Sequence, residues 1–505
     1  MARRVAHVSL VVVCFLSAVA LSEAPPLTHS TARAFGAPSV GTAKVSYDGQ
    51  LPARWDWREL GKVSPVKDQE SCNASYAFAA VADMESKMLI AGTPAGPFSE
   101  NHAKECNWEA LHSYEDFFGE HWGTCHQGNT RMMANLFSQN GLVPESCDPY
   151  NSSDGPCNAS CPVQKTVLGW SVISGAAVPP VNTLKQYIYT YGPVQTTIYE
   201  GYDDDWGREF SLYDGTYTLY YAGTEEPHHS VLIVGWDDNL IHRGGSGAWI
   251  VKNSFGTYWG GPCGYGSEGG YFTIAYGSAS IGMNSSFFSA WQDYDSEGEL
   301  LLYDEAGWND EYGFGGEIAW GLCRFTPVRD GQVSRVEFWT TDATSDVDVY
   351  LYEHWTDQVG PDGLLSSRLD LSYPEAGYHS VLLDAAVPVA NGDEVVVAIK
   401  FTNAGDDYVP PVAVDTRPEQ SEIGRTFISR DGTDGSWEDV GVGANSDIAI
   451  RLRLSSGETP PPETPTPTLT AETPTPTTTP VASRTPTEVP TGGRIYLPLL
   501  RRGLR

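Results

Sequence analysis

The stretch PVKDQESCNASYAFAAV, Pro65 to Val81, begins as a polar loop and ends as something else. From Ser75 onward it turns to alanine and large apolar residues, with Phe78, Val81, Ala82, Glu85 and Leu89 near helical spacing, so the pattern predicts a helix from Ser75 to Ile90. Further along, His229 to Trp236 and Ala248 to Asn253 are short apolar runs that read as buried strands. A helix start followed by distant buried strands is an α+β pattern, and we place this unit at residues 51–278.

At 505 residues the chain is too long for one core, so more than one folded unit is expected. Its formal net charge of -33 disfavours nucleic acid and anionic lipid, both of which need clustered Lys and Arg. Residues 1–24 carry Arg3 and Arg4, an apolar run from Val8 to Leu21, and small residues at Ala18, Ala20 and Ala24, the pattern of an export signal. The run falls short of the roughly 20 apolar residues that span a bilayer, so no transmembrane anchor is expected. Cleavage removes Cys14 from the 9 cysteines and leaves an even number, which suits disulfides in a secreted or cell-surface protein. Cys147, Cys157 and Cys161 lack the paired spacing of a zinc site, and the Asp-rich turns at Asp203 and in SDVDV lack full calcium-loop spacing. Neither a metal nor a cofactor is expected. Residues 25–50, rich in Ala, Pro, Ser and Thr, read as a short leader.

Beyond a linker at 279–292 the texture changes. QVSRVEFWTT, DVDVYLYE, EVVVAIKF and DIAIRLRL alternate apolar and polar residues between turn formers, and in the last Ile448, Ile450, Leu452 and Leu454 share one face while Arg451 and Arg453 point away. This predicts an all-β sandwich over 293–455, with Trp308, Trp320 and Trp339 read as packing residues. Residues 456–505 form a Pro/Thr-rich stalk that ends in RIYLPLLRRGLR, either a docking tail or simply a sticky end.

Three segments, VSPVKDQESCNASYAFAA, HHSVLIVG and AWIVKNSFGTYWG, together with LPARWDWRE, resemble the papain-like cysteine peptidases in content and order. The resemblance implies a papain-like fold and peptide-bond hydrolysis through an acyl-enzyme. It puts Gln69 at the oxyanion-hole position, His229 at the base and Asn253 at the residue that orients the base. His228 fails the register with Val231, Val234 and Gly235 that His229 satisfies. Ser75 stands in the slot of the nucleophilic cysteine; the alternative, Cys72, matches a structural half-cystine. The same resemblance implies Cys72–Cys125 and Cys106–Cys157 disulfides, and leaves Cys147 with Cys161 and Cys263 with Cys323. Gly128 matches the small residue past which substrate backbone runs, with Gln127 in place of the preceding glycine. Glu70 replaces a glycine, Asn73 and Ala74 replace Gly and Ser, and Tyr76 and Phe255 replace tryptophans. Held about 8 Å from an oxyanion, the Glu70 carboxylate would cost roughly 2 kcal/mol at an effective dielectric near 20; turned to solvent it would cost little.

An oxygen nucleophile is the central difficulty. A thiol with a pKa near 8.5 ionises beside histidine before substrate arrives, whereas a serine hydroxyl must lose its proton during attack. Activity is therefore expected to be weak or lost, the alternative being a non-catalytic protein that binds peptide or glycan at the cell surface. WNDEYGFGG and WGLCRFTPVRDGQVSRVEFWT resemble the lectin-like domain of some secreted prokaryotic papain-like peptidases, which implies attachment to a surface glycan or protein.

Overall fold

The computed structural model describes residues 40–42, 49–112, 124–125, 128–356, 359–405, 407–417 and 421–456. The export signal, most of the leader, Gln127 and nearly all of the stalk and tail lie outside the described residues.

The helix expected at the opening stretch is present as α1, Ser75–Ile90. Alanines supply helix propensity and small bulk, and the helix is buried along almost its whole length. Polar side chains inside such a helix need partners, and Asp83 and Lys87 find them. Asp83 and Lys87 face each other at 3.3 Å, both fully buried. Asp83 accepts from Gln195 at 2.9 Å and from the Phe288 backbone at 3.0 Å, while Lys87 donates to the Tyr191 and Pro193 carbonyls at 2.8 and 2.6 Å. Shorter helices follow: α2 (Glu100–Glu105), α3 (Trp108–His112), α4 (Thr130–Gln139), α5 (Val181–Tyr191) and α6 (Asp205–Ser211).

Against α1 lies an antiparallel sheet ordered Tyr271–Ala275, Gly245–Lys252, His229–His242, Val194–Ile198, Met283–Asp293, Lys165–Val172. Met283–Asp293 corrects the linker expected at 279–292. Its Phe287, Phe288 and Trp291 are buried, and it pairs with two strands of the first domain. Its alternation was obscured by a serine pair and by burial on both faces.

The sheet does not stop at the domain boundary. Lys165–Val172 pairs with Ala376–Val389, which pairs with Gly331–Thr340 and then Ile450–Ser455, so one sheet belongs to both domains. Gly377 permits the join: a Cβ there would lie 2.0 Å from the Trp170 carbonyl oxygen. The second sheet of the sandwich runs Gly360–Tyr373, Ser345–Thr356, Val395–Asn403, Ile318–Phe325, Thr426–Ser429, Glu438–Asp439. Val336, Phe338, Val349, Ile399, Phe401, Ile450 and Leu452 fill the space between sheets. Trp339 is buried, Trp308 lies tilted against it, and Trp320 stacks on Tyr350.

Arg451 and Arg453, on the face opposite the sandwich core, enter the domain seam. Arg451 is fully buried; it grips Asp304 with bonds of 2.8 to 3.0 Å, donates to Ser138 at 2.9 Å, and also bonds Asn135, both on α4. Arg453 donates to the Ser138 carbonyl at 3.0 Å. Trp170 meets Trp339 edge-on at 6.0 Å, and Tyr187 donates to Glu375 at 2.6 Å.

Cys72–Cys125, Cys106–Cys157 and Cys147–Cys161 are bonded. Cys263 and Cys323 are free, correcting that pairing. Cys323 is buried in the sandwich core, whereas Cys263 lies in the first domain beside Tyr213, so the fold separates them. Asp346, Asp348 and Asp370 bring carboxylate oxygens within 4.8 Å of one another, and Lys400 donates to Asp348 at 3.1 Å.

Candidate active site

The loop before α1 is braced at several points. The Gln69 backbone N–H donates to the Ser254 carbonyl at 2.7 Å, Asn73 N–H to the Cys125 carbonyl at 3.1 Å, and the Cys72–Cys125 bridge closes the loop. Ser75 is thereby fixed as the first helical residue, where the helix dipole favours negative charge; the cap residue Ala74 offers no side-chain acceptor to compete there.

Opposite stands His229, at the start of its strand and paired in register with Ile198. Asn253, just past Gly245–Lys252 on the neighbouring strand, reaches its ring: Nε2 and Asn253 Oδ1 are 2.7 Å apart. The same Oδ1 accepts from the Ser254 backbone N–H at 2.9 Å, so it is an acceptor and the imidazole Nε2 carries the hydrogen. That assigns the lone pair of the neutral ring to Nδ1. Phe255 covers the pair, its ring centroid 4.9 Å from that of His229.

Ser75, His229, Asn253 and Gln69 all come together. Ser75, His229 and Gln69, with Gly128, line one cleft of about 770 Å3. The contacts differ from the expected relay in one respect. Ser75 Oγ accepts from the Ser230 backbone N–H at 3.1 Å, and among the described residues no hydrogen bond joins it to His229. Gln69 uses one amide hydrogen on the Cys72 carbonyl at 2.9 Å and accepts from Ser254 Oγ at 2.5 Å, which leaves its second amide hydrogen for a ligand.

Two expectations change. Glu70 has φ 51°, the left-handed conformation that suits the glycine it replaces, and its exposed carboxylate accepts from Ser152 Oγ at 2.6 Å. The carboxylate is committed to the surface, so the roughly 2 kcal/mol penalty at an effective dielectric near 20 does not arise. Gly128 does lie at the cleft, but its small size is required by a neighbour: a Cβ would sit 2.3 Å from the ring of buried Tyr76. Tyr76 OH then donates to the Thr124 carbonyl at 3.3 Å.

Residues that the sequence did not flag complete the walls. Glu200 Oε2 lies 3.6 Å from His229 Nδ1, and its Oε1 lies 4.0 Å from Nδ1 of His228. Burial pulls the His228 pKa down, with Glu200 opposing. Arg417 of the second domain also lines the cleft, in an ion pair with Glu109. Behind the site, Lys67 donates to Glu100 at 2.7 Å; burial lifts the Glu100 carboxyl to about 7, against the pull of Lys67. Burial also lowers the Lys252 ammonium to about 8. None of these contacts is local in sequence, so none could be placed before the fold was known.

A helix-borne Ser facing a His–Asn pair across a cleft between a helical and a β layer defines the class: a peptidase scaffold of papain type joined to a β-sandwich. Residues 51–291 match the papain family cysteine protease model and residues 300–451 the lectin-like domain model, and the two segments belong to those families. Among curated proteins, cathepsin J of Rattus norvegicus is 31% identical over 218 residues, covering 42% of this chain and 58% of that protein. A cathepsin L-like proteinase of Fasciola hepatica is 30% identical over 242 residues, covering 47% and 64%. The chain thus spans less than two thirds of the length of either relative. The fold of both domains is shared with the clostridial cysteine protease Cwp84 after propeptide cleavage, at a TM-score of 0.64 and 18% identity, over 80% of this chain and 99% of that one. The crystal structure of the cysteine protease and lectin-like domains of Cwp84, a surface layer associated protein of Clostridium difficile, aligns at 0.63 and 17% identity, over 85% and 94%.

Proposed function

We propose that this chain is an exported papain-family peptidase homologue whose cleft holds polypeptide and whose turnover is weak or lost because Ser75 replaces the thiol. One observation carries the reading. Ser75 Oγ, at the start of α1, is held by the Ser230 N–H rather than by His229, while His229 keeps Asn253 and an accepting Nδ1. For reaction, the hydroxyl must leave its acceptor role, pass its proton to Nδ1 and bond the substrate carbonyl carbon through Oγ. The oxygen of that carbonyl gains charge, which the spare Gln69 amide hydrogen and the helix N-terminus can meet. Collapse breaks the C–N bond as Nδ1–H protonates the leaving amine, and water then cleaves the ester by the reverse roles. A thiolate would skip the first proton transfer during attack, which is why sulfur suits this frame better.

The export pattern of residues 1–24 and the three disulfides support a secreted or cell-surface location. A second reading, non-catalytic binding of peptide or glycan at the cell surface, draws support from the lectin-like match and from Ser75 having no hydrogen bond to its base. A fluorogenic peptide library separates the two when applied to the wild type, Ser75→Cys and Ser75→Ala. Hydrolysis by the wild type that Ser75→Ala abolishes establishes an oxygen nucleophile. Hydrolysis by Ser75→Cys alone establishes a disarmed cleft, and silence in all three removes the hydrolase reading.

A further inference from the structure

Glu200 stands apart from the other charged groups of the cleft because it faces only the two histidines, His229 at 3.6 Å and His228 at 4.0 Å. Among the described residues it accepts no hydrogen bond, and its side chain is 32% exposed. It follows Ile198, the partner of His229 across the sheet, by two residues, and side chains two apart in extended chain share a side. Its carboxylate is thus delivered to the flank of the imidazole at Nδ1, 3.6 Å away.

The chemistry of Nδ1 says what part of a substrate lies there. With Nε2 committed to Asn253, Nδ1 is the atom that takes the serine proton and returns it to the leaving amine. That amine is the backbone nitrogen of the first residue after the scissile bond. It must come within hydrogen-bond reach of Nδ1, so the side chain of that residue, or the ammonium released on cleavage, meets Glu200. Next along the rim is Tyr202, 72% exposed, its ring 4.6 Å from that of His228. A carboxylate with unused acceptor capacity beside an open aromatic face is a recognition pair for an ammonium or guanidinium.

We propose that Glu200 is a specificity-determining residue: it selects polypeptide with lysine or arginine immediately after the scissile bond and rejects an acidic residue there. The inference rests on the reading of the cleft as a peptide groove. The test uses three peptides identical except for Lys, Met or Glu at that position, with cleavage by the Ser75→Cys form followed by mass spectrometry and binding to the wild type followed by fluorescence anisotropy. We expect Lys to exceed Glu by about tenfold in kcat/KM or in affinity, a value reduced by solvent exposure from that of a buried charged hydrogen bond. In Glu200→Gln the preference disappears, and in Glu200→Lys it reverses. A preference that survives Glu200→Gln, or no preference in the parent forms, overturns the inference and leaves the groove standing. If no peptide is bound or cut by any form, the groove reading itself fails and the inference falls with it.

Discussion

The domain seam and the cleft are built from the same kinds of side chain and treat them in opposite ways. At the seam Arg451 spends its guanidinium on Asp304, Ser138 and Asn135, and Arg453 spends its own on Glu337 and the Ser138 carbonyl. In the cleft Glu200 accepts no hydrogen bond among the described residues, Gln69 keeps an amide hydrogen, and Asn253 Nδ2 is buried without a partner. The seam saturates its guanidinium groups, although the Trp170 and Trp339 indole N–H groups there stay unpartnered, whereas a surface that meets a transient ligand must hold charged capacity in reserve. The contrast separates what holds this molecule together from what it offers to others.

The contrast can be broken at the seam first. Arg451→Ala leaves Asp304 buried without its counter-charge, and removal of one partner of such a pair costs about 3–5 kcal/mol. Denaturant unfolding should show that loss, together with separate transitions for the two domains; an unchanged midpoint would mean that the shared sheet alone joins them.

A smaller effect should appear with pH. Burial lifts the Asp447 carboxyl to about 7, against hydrogen bonds from the Glu422 N–H and the Thr426 hydroxyl, and lifts Glu305 likewise to about 7. Because the folded-state value exceeds the unfolded one, the folded chain holds this proton more tightly. The stability it contributes is full below about pH 4 and is lost as pH rises through about 7. Relative to the wild type, Asp447→Asn should therefore unfold at a flatter midpoint between pH 4.5 and 7.5; parallel profiles would refute the assignment.

The smallest effect concerns the loop before α1. Glycine at position 70 would relieve a left-handed residue, worth roughly 1–2 kcal/mol, and forfeit the Ser152 bond, worth about 0.5–1.5 kcal/mol. Glu70→Gly should thus gain about 0.5 kcal/mol by thermal unfolding, and a net loss would show that the Ser152 tether governs the loop.

Much of the site was legible because its chemistry sits in local motifs. The α1 boundary at Ser75, the choice of His229 over His228, and Asn253 at the end of the neighbouring strand all follow from short segments whose neighbours are sequence-adjacent. Glu200 was invisible because only the pairing of Ile198 with His229 brings it to the imidazole. Arg451 was read as pointing away from the sandwich core, which is true, but no pattern within one strand says that α4 of another domain waits on that side. Met283–Asp293 passed for a linker for the same reason: its strand character depends on partners far away in sequence. Gly128 lines the cleft as the resemblance implies, and its lack of a side chain is also demanded by the Tyr76 ring, a contact between residues more than fifty positions apart that spacing alone cannot supply.

The central claim, that the cleft retains a working proton acceptor aimed at the start of α1, where oxygen stands in place of sulfur, can be tested without any substrate. Alkylation of the Ser75→Cys form by iodoacetamide is followed against pH, alone and combined with His229→Ala. If the account holds, the thiol reacts well below the ordinary midpoint near pH 8.5, and His229→Ala restores that midpoint. A midpoint near 8.5 in both forms would contradict it, placing the imidazole out of reach of the nucleophile position.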